Sequence, residues 1–426
     1  MASPDHPKAD RSGLFREPGF RLLLAGQALS QLGFQFSTLA MPVLAVVLLH
    51  ATEEQMGYLN AADFAAFLVV GLLAGGWVDR WRKRRVMLAA DLVRATAVLV
   101  IPILWATGSL AIWHLYLIGA VIGVATVFFD VSYQSYLPIL LPGRLVGPGN
   151  GVLEGTSQVA RLAGPGIAGA LLAVLAAPLL LVANAVGFLI SACCLAFIRD
   201  QERPQAKHER RRLLTEIAEG VRFVAGEPLL RLLVITVALA NIGSTIMFTV
   251  FPILVLRDLA LPPQLLGVIL TFGAIGGIAG SFAAPRVSDR IGQGPTLRLT
   301  LVLSAFGVVL LPYAAHVPSV ALALLCLGEA LMSFSVVMFN VVQVTTRQRL
   351  CPPRLLGRMN ASIRFVVWGV MPLAALASGA LGGWLGTLAT VWIGASVIIV
   401  GVLPMLLSRY GSMHELPTAA ESLPAE

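Results

Sequence analysis

Charge is what this chain has least of. Only 12% of its 426 residues are Asp, Glu, Lys or Arg, while 57% are hydrophobic. Three stretches, Leu22 to His50, Ala95 to Phe129 and Val370 to Ser408, carry no charge at all. Each exceeds the roughly 20 apolar residues that cross a bilayer as a helix. Lysine is scarcer still: Lys8, Lys83 and Lys207 are the whole set, and none follows the glycine pattern of a phosphate-binding loop. ATP hydrolysis by this chain is therefore set aside, and any uphill work must draw on an ion gradient. Histidines 6, 50, 114, 208, 316 and 414 are scattered at tails and span ends, without metal-ligand spacing. There is no G-x-S-x-G elbow. Cys193, Cys194, Cys326 and Cys351 form no C-x-x-C pair, so no disulfide framework is implied. Enzyme readings find no footing, and no cofactor or metal is expected. The short alternating segments of a membrane barrel are also missing.

What the chain does have is a repeat. Asp79-Arg80 returns as Asp289-Arg290, an offset of 210. At the same offset Arg144-Leu145-x-Gly147-x-x-Asn150 returns as Arg354-Leu355-x-Gly357-x-x-Asn360. Pro42 and Pro102 match Pro252 and Pro312, Gln31 matches Asn241, and Asp130 matches Asn340. Apolar runs predict spans at 20–49, 55–77, 85–107, 112–139, 150–175, 178–198, 229–256, 264–284, 296–315, 318–342, 360–384 and 386–408. The expected fold is all-α and integral to the membrane, with twelve transmembrane helices in two six-helix repeats. Six is even, so both halves start on the same side and the repeat is parallel.

The net charge of +8 is distributed as a topology signal, not a nucleic-acid footprint. With the N-terminus inside, every Lys and Arg lies in a cytoplasmic segment or at the cytoplasmic end of a span except Arg94, Arg161 and Arg364 within spans and Arg257 at an outer loop. By the positive-inside rule both termini are cytoplasmic. The expected organisation is a tail over 1–19, a bundle over 20–198, a linker over 199–228, a second bundle over 229–408 and a disordered tail over 409–426. The first 19 residues are polar, and no removed signal peptide is expected. Leu213, Leu214, Ile217, Val221 and Val224 give the linker an amphipathic helix on the inner membrane surface. Outer loops as short as Ala51–Glu54 and Gly108–Ala111 leave no room for an ectodomain.

The segment Gly75-Gly76-Trp77-Val78-Asp79-Arg80-Trp81-Arg82-Lys83-Arg84-Arg85 joins spans 2 and 3. It resembles the signature loop of the major facilitator superfamily, G-x-x-x-D-[RK]-x-G-x-[RK]-[RK], with Arg82 at the second glycine. The resemblance implies that Asp79, with Arg80 and Arg84, helps close the cytoplasmic side near span 11, where Arg354, Arg358 and Asn360 are candidate partners. Asp289 and Arg290 belong to a decayed second copy, with Pro285 at the leading glycine. Gly164-Pro165-Gly166-Ile167-Ala168-Gly169 resembles the G-P-x-x-G-G motif of drug:proton antiporters in that superfamily. Phe20-Arg21, Gly26-Gln27, Ser30, Asp91-x-x-Arg94-Ala95 and Asn184-Ala185-x-x-Phe188 are similar to bacterial macrolide and siderophore exporters.

Ionisable residues inside spans are functional candidates, because a buried charge is costly in a bilayer. Glu329 stands near the middle of span 10 and Asp63 in span 2; both are candidates for proton coupling or contact with a cationic substrate. Asp130 and Arg161, on adjacent spans, are expected to form an ion pair. Glu154 and its repeat partner Arg364 fit the cytoplasmic gate better. Gln27, Gln31 and Gln35 recur every fourth residue on one face of span 1, and with Asn241 and Phe248 they are candidates for substrate contact. The same amides also serve as interhelical hydrogen-bonding groups, and Phe34, Phe36, Phe251 and Met247 fit packing. The expectation is a monomeric secondary transporter in a bacterial cell membrane, exporting an amphipathic drug-like or natural-product molecule in exchange for protons. Two alternatives stay open: an uptake permease for a metabolite or sugar, and a non-transporting sensor or lipid-handling scaffold.

Overall fold

Prolines open many of the helices. Pro18, Pro178, Pro228, Pro263 and Pro372 each occupy a first helical turn, where the missing N–H costs nothing. The computed structural model describes residues 11–78, 81–199, 202, 222–351, 359, 363 and 367–417. After a helical turn at Arg11–Leu14, the long helices are α1 (Pro18–Val43), α2 (Glu53–Val78), α3 (Lys83–Ala106), α4 (Ile112–Leu140), α5 (Gly143–Leu172) and α6 (Ala177–Phe197). They continue with α7 (Pro228–Ile253), α8 (Pro263–Ile291), α9 (Gln293–Tyr313), α10 (Ala321–Leu350), α11 (Met371–Leu385) and α12 (Thr387–Leu407). Among the described residues, ten helices are long and apolar enough to cross a membrane; α2 and α5 are not in that set. Several helices outrun the predicted spans: α5 starts at Gly143, α8 ends at Ile291 and α10 at Leu350. Backbone hydrogen bonding continues past the apolar stretch, because a turn added to an existing helix gains a bond without a new nucleus, while its polar side chains stay out of lipid.

The sequence repeat is also a structural one. α1 and α7, and α6 and α12, match end to end at the 210 offset. Pro42 and Pro252, each near the end of its helix, are followed by π-helical turns at Leu44–Leu48 and Leu254–Asp258. A π-turn is a wide turn that absorbs an interrupted hydrogen-bond ladder. Each is followed by a residue at φ +49°, His50 and Ala260.

The chain divides into two compact units, Met1–Leu44 with Ala65–Lys207, and Ala45–Phe64 with His208–Glu426. In the first, α1 packs on α5 and α6, and α3 on α4 and α6. Its core holds Leu14, Phe20, Leu23, Met87, Phe129, Tyr136 and Leu195. In the second, α8 packs on α10, α7 on α11 and α12, and α9 on α10 and α12, around Leu229, Leu233, Leu297, Phe339 and Met405. Residues 45–64 join the second unit through small residues. A Cβ on Gly57 would stand 2.8 Å from Gly379 Cα, and one on Gly379 would stand 3.0 Å from Glu54 Cα. Thr387 donates a hydrogen bond of 3.0 Å to Glu53 Oε1. Arg257 donates to the Ala51 carbonyl and lies 3.8 Å from Glu53.

The C-terminal residues correct one expectation. Residues 409–417, read as a disordered tail, instead close the N-terminus of α9. The N–H groups of Gln293 and Gly294 donate to His414 and Met413 carbonyls at 2.8 and 3.1 Å, while Tyr410 and Leu416 are buried. Free N–H groups at a helix start need acceptors, and this tail supplies them.

Candidate functional site

Glu329 lies on α10 inside the second unit, in a seam built by glycines. Gly276 and Gly280 of α8 meet the Ala330 and Phe334 carbonyls so closely that neither position has room for a Cβ. Small residues let membrane helices approach to backbone contact, and here they clamp α8 to α10. Gly273, one turn earlier, faces Glu329 itself. Glu329 is 9% exposed. The Ser333 hydroxyl, one turn along α10, lies in the same seam, its Oγ 3.2 Å and Glu329 Oε1 2.9 Å from where a Cβ on Gly273 would stand, and Glu329 Oε2 has no hydrogen-bond partner among the described residues. No charged residue or histidine occurs on α8 from 263 to 284 or on α9 from 299 to 312, the two helices packed on α10. The seam therefore holds a carboxyl with no counter-ion on these stretches of α8 and α9, whose Arg286, Arg290 and Arg298 stand nearer the helix ends.

Asp63 falls in the 45–64 segment of the same unit, with an exposed side chain. Asn241 and Phe248 are half-buried on α7, and Phe248 packs edge-on to Phe251 at 5.6 Å. Met247 and Phe251 are fully packed. Asp289 and Arg290 are exposed at the end of α8.

In the first unit two candidates meet. Gly164 of the Gly-Pro motif packs against the Gln35 side chain, and a Cβ at 164 would collide with Gln35 Cβ and Cγ. Pro165 and Gly169 are buried beside it. Gln27 is buried, with its Nε2 lacking a partner among the described residues, and Gln31 is half-buried. Arg161 is exposed on α5, and Glu154 accepts a hydrogen bond from Gln158.

A family model described as the Major Facilitator Superfamily matches residues 23–375 and 233–425. The chain belongs to the major facilitator superfamily. It is 25% identical over 400 residues to YfiS, named an MFS-type transporter, of Bacillus subtilis, covering 92% of this chain and 94% of that one. It is 26% identical to the multidrug efflux pump Tap of Mycolicibacterium fortuitum, covering 83% and 86%. With macrolide efflux protein A of Streptococcus pyogenes it shares 22%, over 84% and 88%. Among solved structures, an inward-facing bacterial homologue of the iron transporter ferroportin superposes with a TM-score of 0.75 at 18% identity, covering 94% of this chain and all of the other. This facilitator is thus a multi-pass membrane transporter and not an enzyme.

Within the facilitator's signature loop, Asp79 and Arg80 lie outside the described residues, as do Arg354, Arg358, Asn360 and Arg364, while Gly75 falls in the last turns of α2. Arg84 is described, and it works inside its own unit. Its guanidinium donates to the Leu195 and Ala196 carbonyls at the end of α6. Glu202 accepts the Lys83 and Arg84 N–H groups at 2.8 and 2.7 Å, a carboxylate at a helix N-terminus as the macrodipole favours.

A buried charge cluster escaped the sequence reading. Arg94 pairs with Asp91 three residues earlier on α3. Its guanidinium lies 4.2 and 4.5 Å from the ring centroids of Phe129 and Phe188, and Asp91 engages Ser191. Asp130, expected to pair with Arg161, lies within electrostatic reach of Arg94. The signal was available: Asp-x-x-Arg places opposite charges on one helix face. A cavity of about 850 Å³ runs between α3 and α4, lined by Trp81, Arg85, Val86, Val93, Ala120, Val124 and Phe128. Ala120 and Val124 stand at the register of Ala330 and Phe334, which α8 covers in the other unit. By the repeat, this cavity lies on the face that a helix covers in the other unit.

Proposed function

We propose that this facilitator is a proton-coupled exporter of amphipathic drug-like or natural-product molecules, with Glu329 as its principal proton carrier. One observation carries the coupling: Glu329 is nine-tenths buried, with one carboxyl oxygen unpartnered among the described residues and no cation on 263–284 of α8 or 299–312 of α9. Such a group is costly as a bare carboxylate in a bilayer, and it is relieved by a proton or by a cationic substrate. Exchange of the two at one seam is antiport. Asp63 is a second candidate carrier. The outward direction is supported by relatives named as multidrug and macrolide efflux pumps and by the resemblance of Gly164-Pro165-Gly166-Ile167-Ala168-Gly169 to the antiporter motif.

The full proposal has twelve spans, both termini in the cytoplasm of a bacterial cell, and a monomer that rocks about a central site. Asp79, Arg80, Asp289 and Arg290 act at the inner gate, while Gln27, Gln31, Gln35, Asn241 and Phe248 act in substrate contact. No bound cofactor is required, because the proton gradient supplies the work. The test is purified protein in vesicles with an imposed pH gradient, an internal pH dye, and ethidium and erythromycin as probes. Substrate-dependent proton movement in wild type that disappears in Glu329→Gln is the expected result. Unaltered movement in that variant shifts the role to Asp63. Uphill export that survives collapse of every ion gradient rules the coupling out.

A further inference from the structure

Glycines 273, 276, 277 and 280 of α8 face α10, and Gly273 does something different. Gly276 and Gly280 meet backbone carbonyls and set the distance between the helices. A Cβ on Gly273 would stand 2.7 Å from Glu329 Cγ, 2.9 Å from its Oε1 and 3.2 Å from Ser333 Oγ. The volume a side chain at 273 needs is therefore filled by the acid and the Ser333 hydroxyl.

The repeat supplies a second, independent observation. Asp63 stands at the register of Gly273, and Gly119 at the register of Glu329. One repeat carries its acid on the second helix and a glycine on the fourth; the other carries the glycine on the second and the acid on the fourth. The same two register positions are furnished reciprocally, so each repeat has one carboxyl for the pair.

We propose that Gly273 and Ser333 are the positioning residues of the Glu329 carboxyl, and that the working element is one carboxyl in this seam, whichever helix supplies it. The inference rests on Glu329 as the proton carrier. Gly273 leaves the volume, and Ser333 occupies one carboxyl oxygen. Oε2, which has no partner among the described residues, is the atom that takes the proton. Proton binding there forms an O–H bond and a neutral acid; release restores the carboxylate. Gly276 and Gly280 hold α8 and α10 together through this step, so they do not part to expose the group.

The experiment uses full-length protein in vesicles, with two readouts: ethidium-dependent proton movement, and downhill ethidium flux without a pH gradient. Gly273→Ala and Ser333→Ala are expected to lower the proton movement per ethidium transported at least about tenfold, the equivalent of about 1.4 kcal/mol. Ser333→Thr, which retains the hydroxyl, restores it. Glu329→Gly is silent in proton movement, and Glu329→Gly with Gly273→Asp recovers it from the opposite helix. Full proton movement in both Gly273→Ala and Ser333→Ala overturns the proposal. So does a silent double variant whose downhill flux matches wild type. If the double variant does not fold, the serine pair decides: loss with Ala and rescue with Thr support the seam, and equal movement in both sinks it. A wild type that moves no protons at all overturns the coupling itself, a failure distinct from that of the seam.

Discussion

Asp91 and Arg94 show what a charge pair does when both members are sealed inside a helix bundle. Asp91 is fully buried and Arg94 is 5% exposed, between two aromatic rings. Removing one member of such a pair strands the other, at a cost of about 3–5 kcal/mol. Asp91→Ala should therefore lower the apparent melting temperature in detergent more than Phe188→Leu, which forfeits a cation–π contact of about 1–2 kcal/mol. A melting temperature equal to wild type for Asp91→Ala contradicts the pinning role. At this scale the sequence was legible wherever chemistry was local. Glu329 stood out as an acid in an apolar run, and the four-residue spacing of Gln27, Gln31 and Gln35, about one helical turn each, placed them on one face. Gly273 was not legible, because its meaning comes from a side chain 56 positions away in sequence. Arg84 was legible as part of a motif, but its carbonyl acceptors at the end of α6 were not.

At the scale of helices, glycine placement separates positions that composition treats alike. Gly164 and Gly155 both lie on α5. A Cβ at 164 collides with Gln35, whereas one at 155 meets nothing within 4 Å. Gly155→Ala is expected to be neutral or to stabilise by up to about 1 kcal/mol through helix propensity. Gly164→Ala should loosen α5 from α1, lowering both melting temperature and transport. Equal behaviour of the two variants would show that the Gly-Pro motif does not act through this contact. A second element-scale case is the packing of α2 on α11. Ala51 is fully buried and its carbonyl accepts from Arg257. Ala51→Cys, in a chain lacking its other cysteines, should react slowly with an impermeant maleimide. Gly379→Val, whose side chain has only backbone to push against, should speed that reaction about tenfold, the effect of about 1.4 kcal/mol. An unchanged rate means the seam does not hold residues 45–64. Helix order was readable from apolar runs and the 210 offset. The helix ends were less so, because polar turns extend helices past the lipid-soluble stretch, and backbone carbonyls of an apparent tail cap α9.

The repeat does not map simply onto the folded molecule. By sequence the chain divides between two six-span halves, yet residues 45–64 of the first pack into the unit formed by 208–426. The second half therefore lacks part of its own packing surface. Expressed alone, residues 208–426 would leave Gly379, Gly382 and Gly383 uncovered, and Arg257 and Thr387 without the Ala51 and Glu53 groups they engage. Small-residue seams supply much of the association energy between membrane helices, so their loss should register directly in stability. Co-expressed fragments 1–207 and 208–426 should copurify and melt several degrees above 208–426 alone, and the pair should recover ethidium-driven proton movement in vesicles. A fragment 208–426 that melts as high as the pair would mean that residues 45–64 add nothing to that unit. If the pair copurifies but stays inactive, the covalent link over 199–228 does more than join the halves.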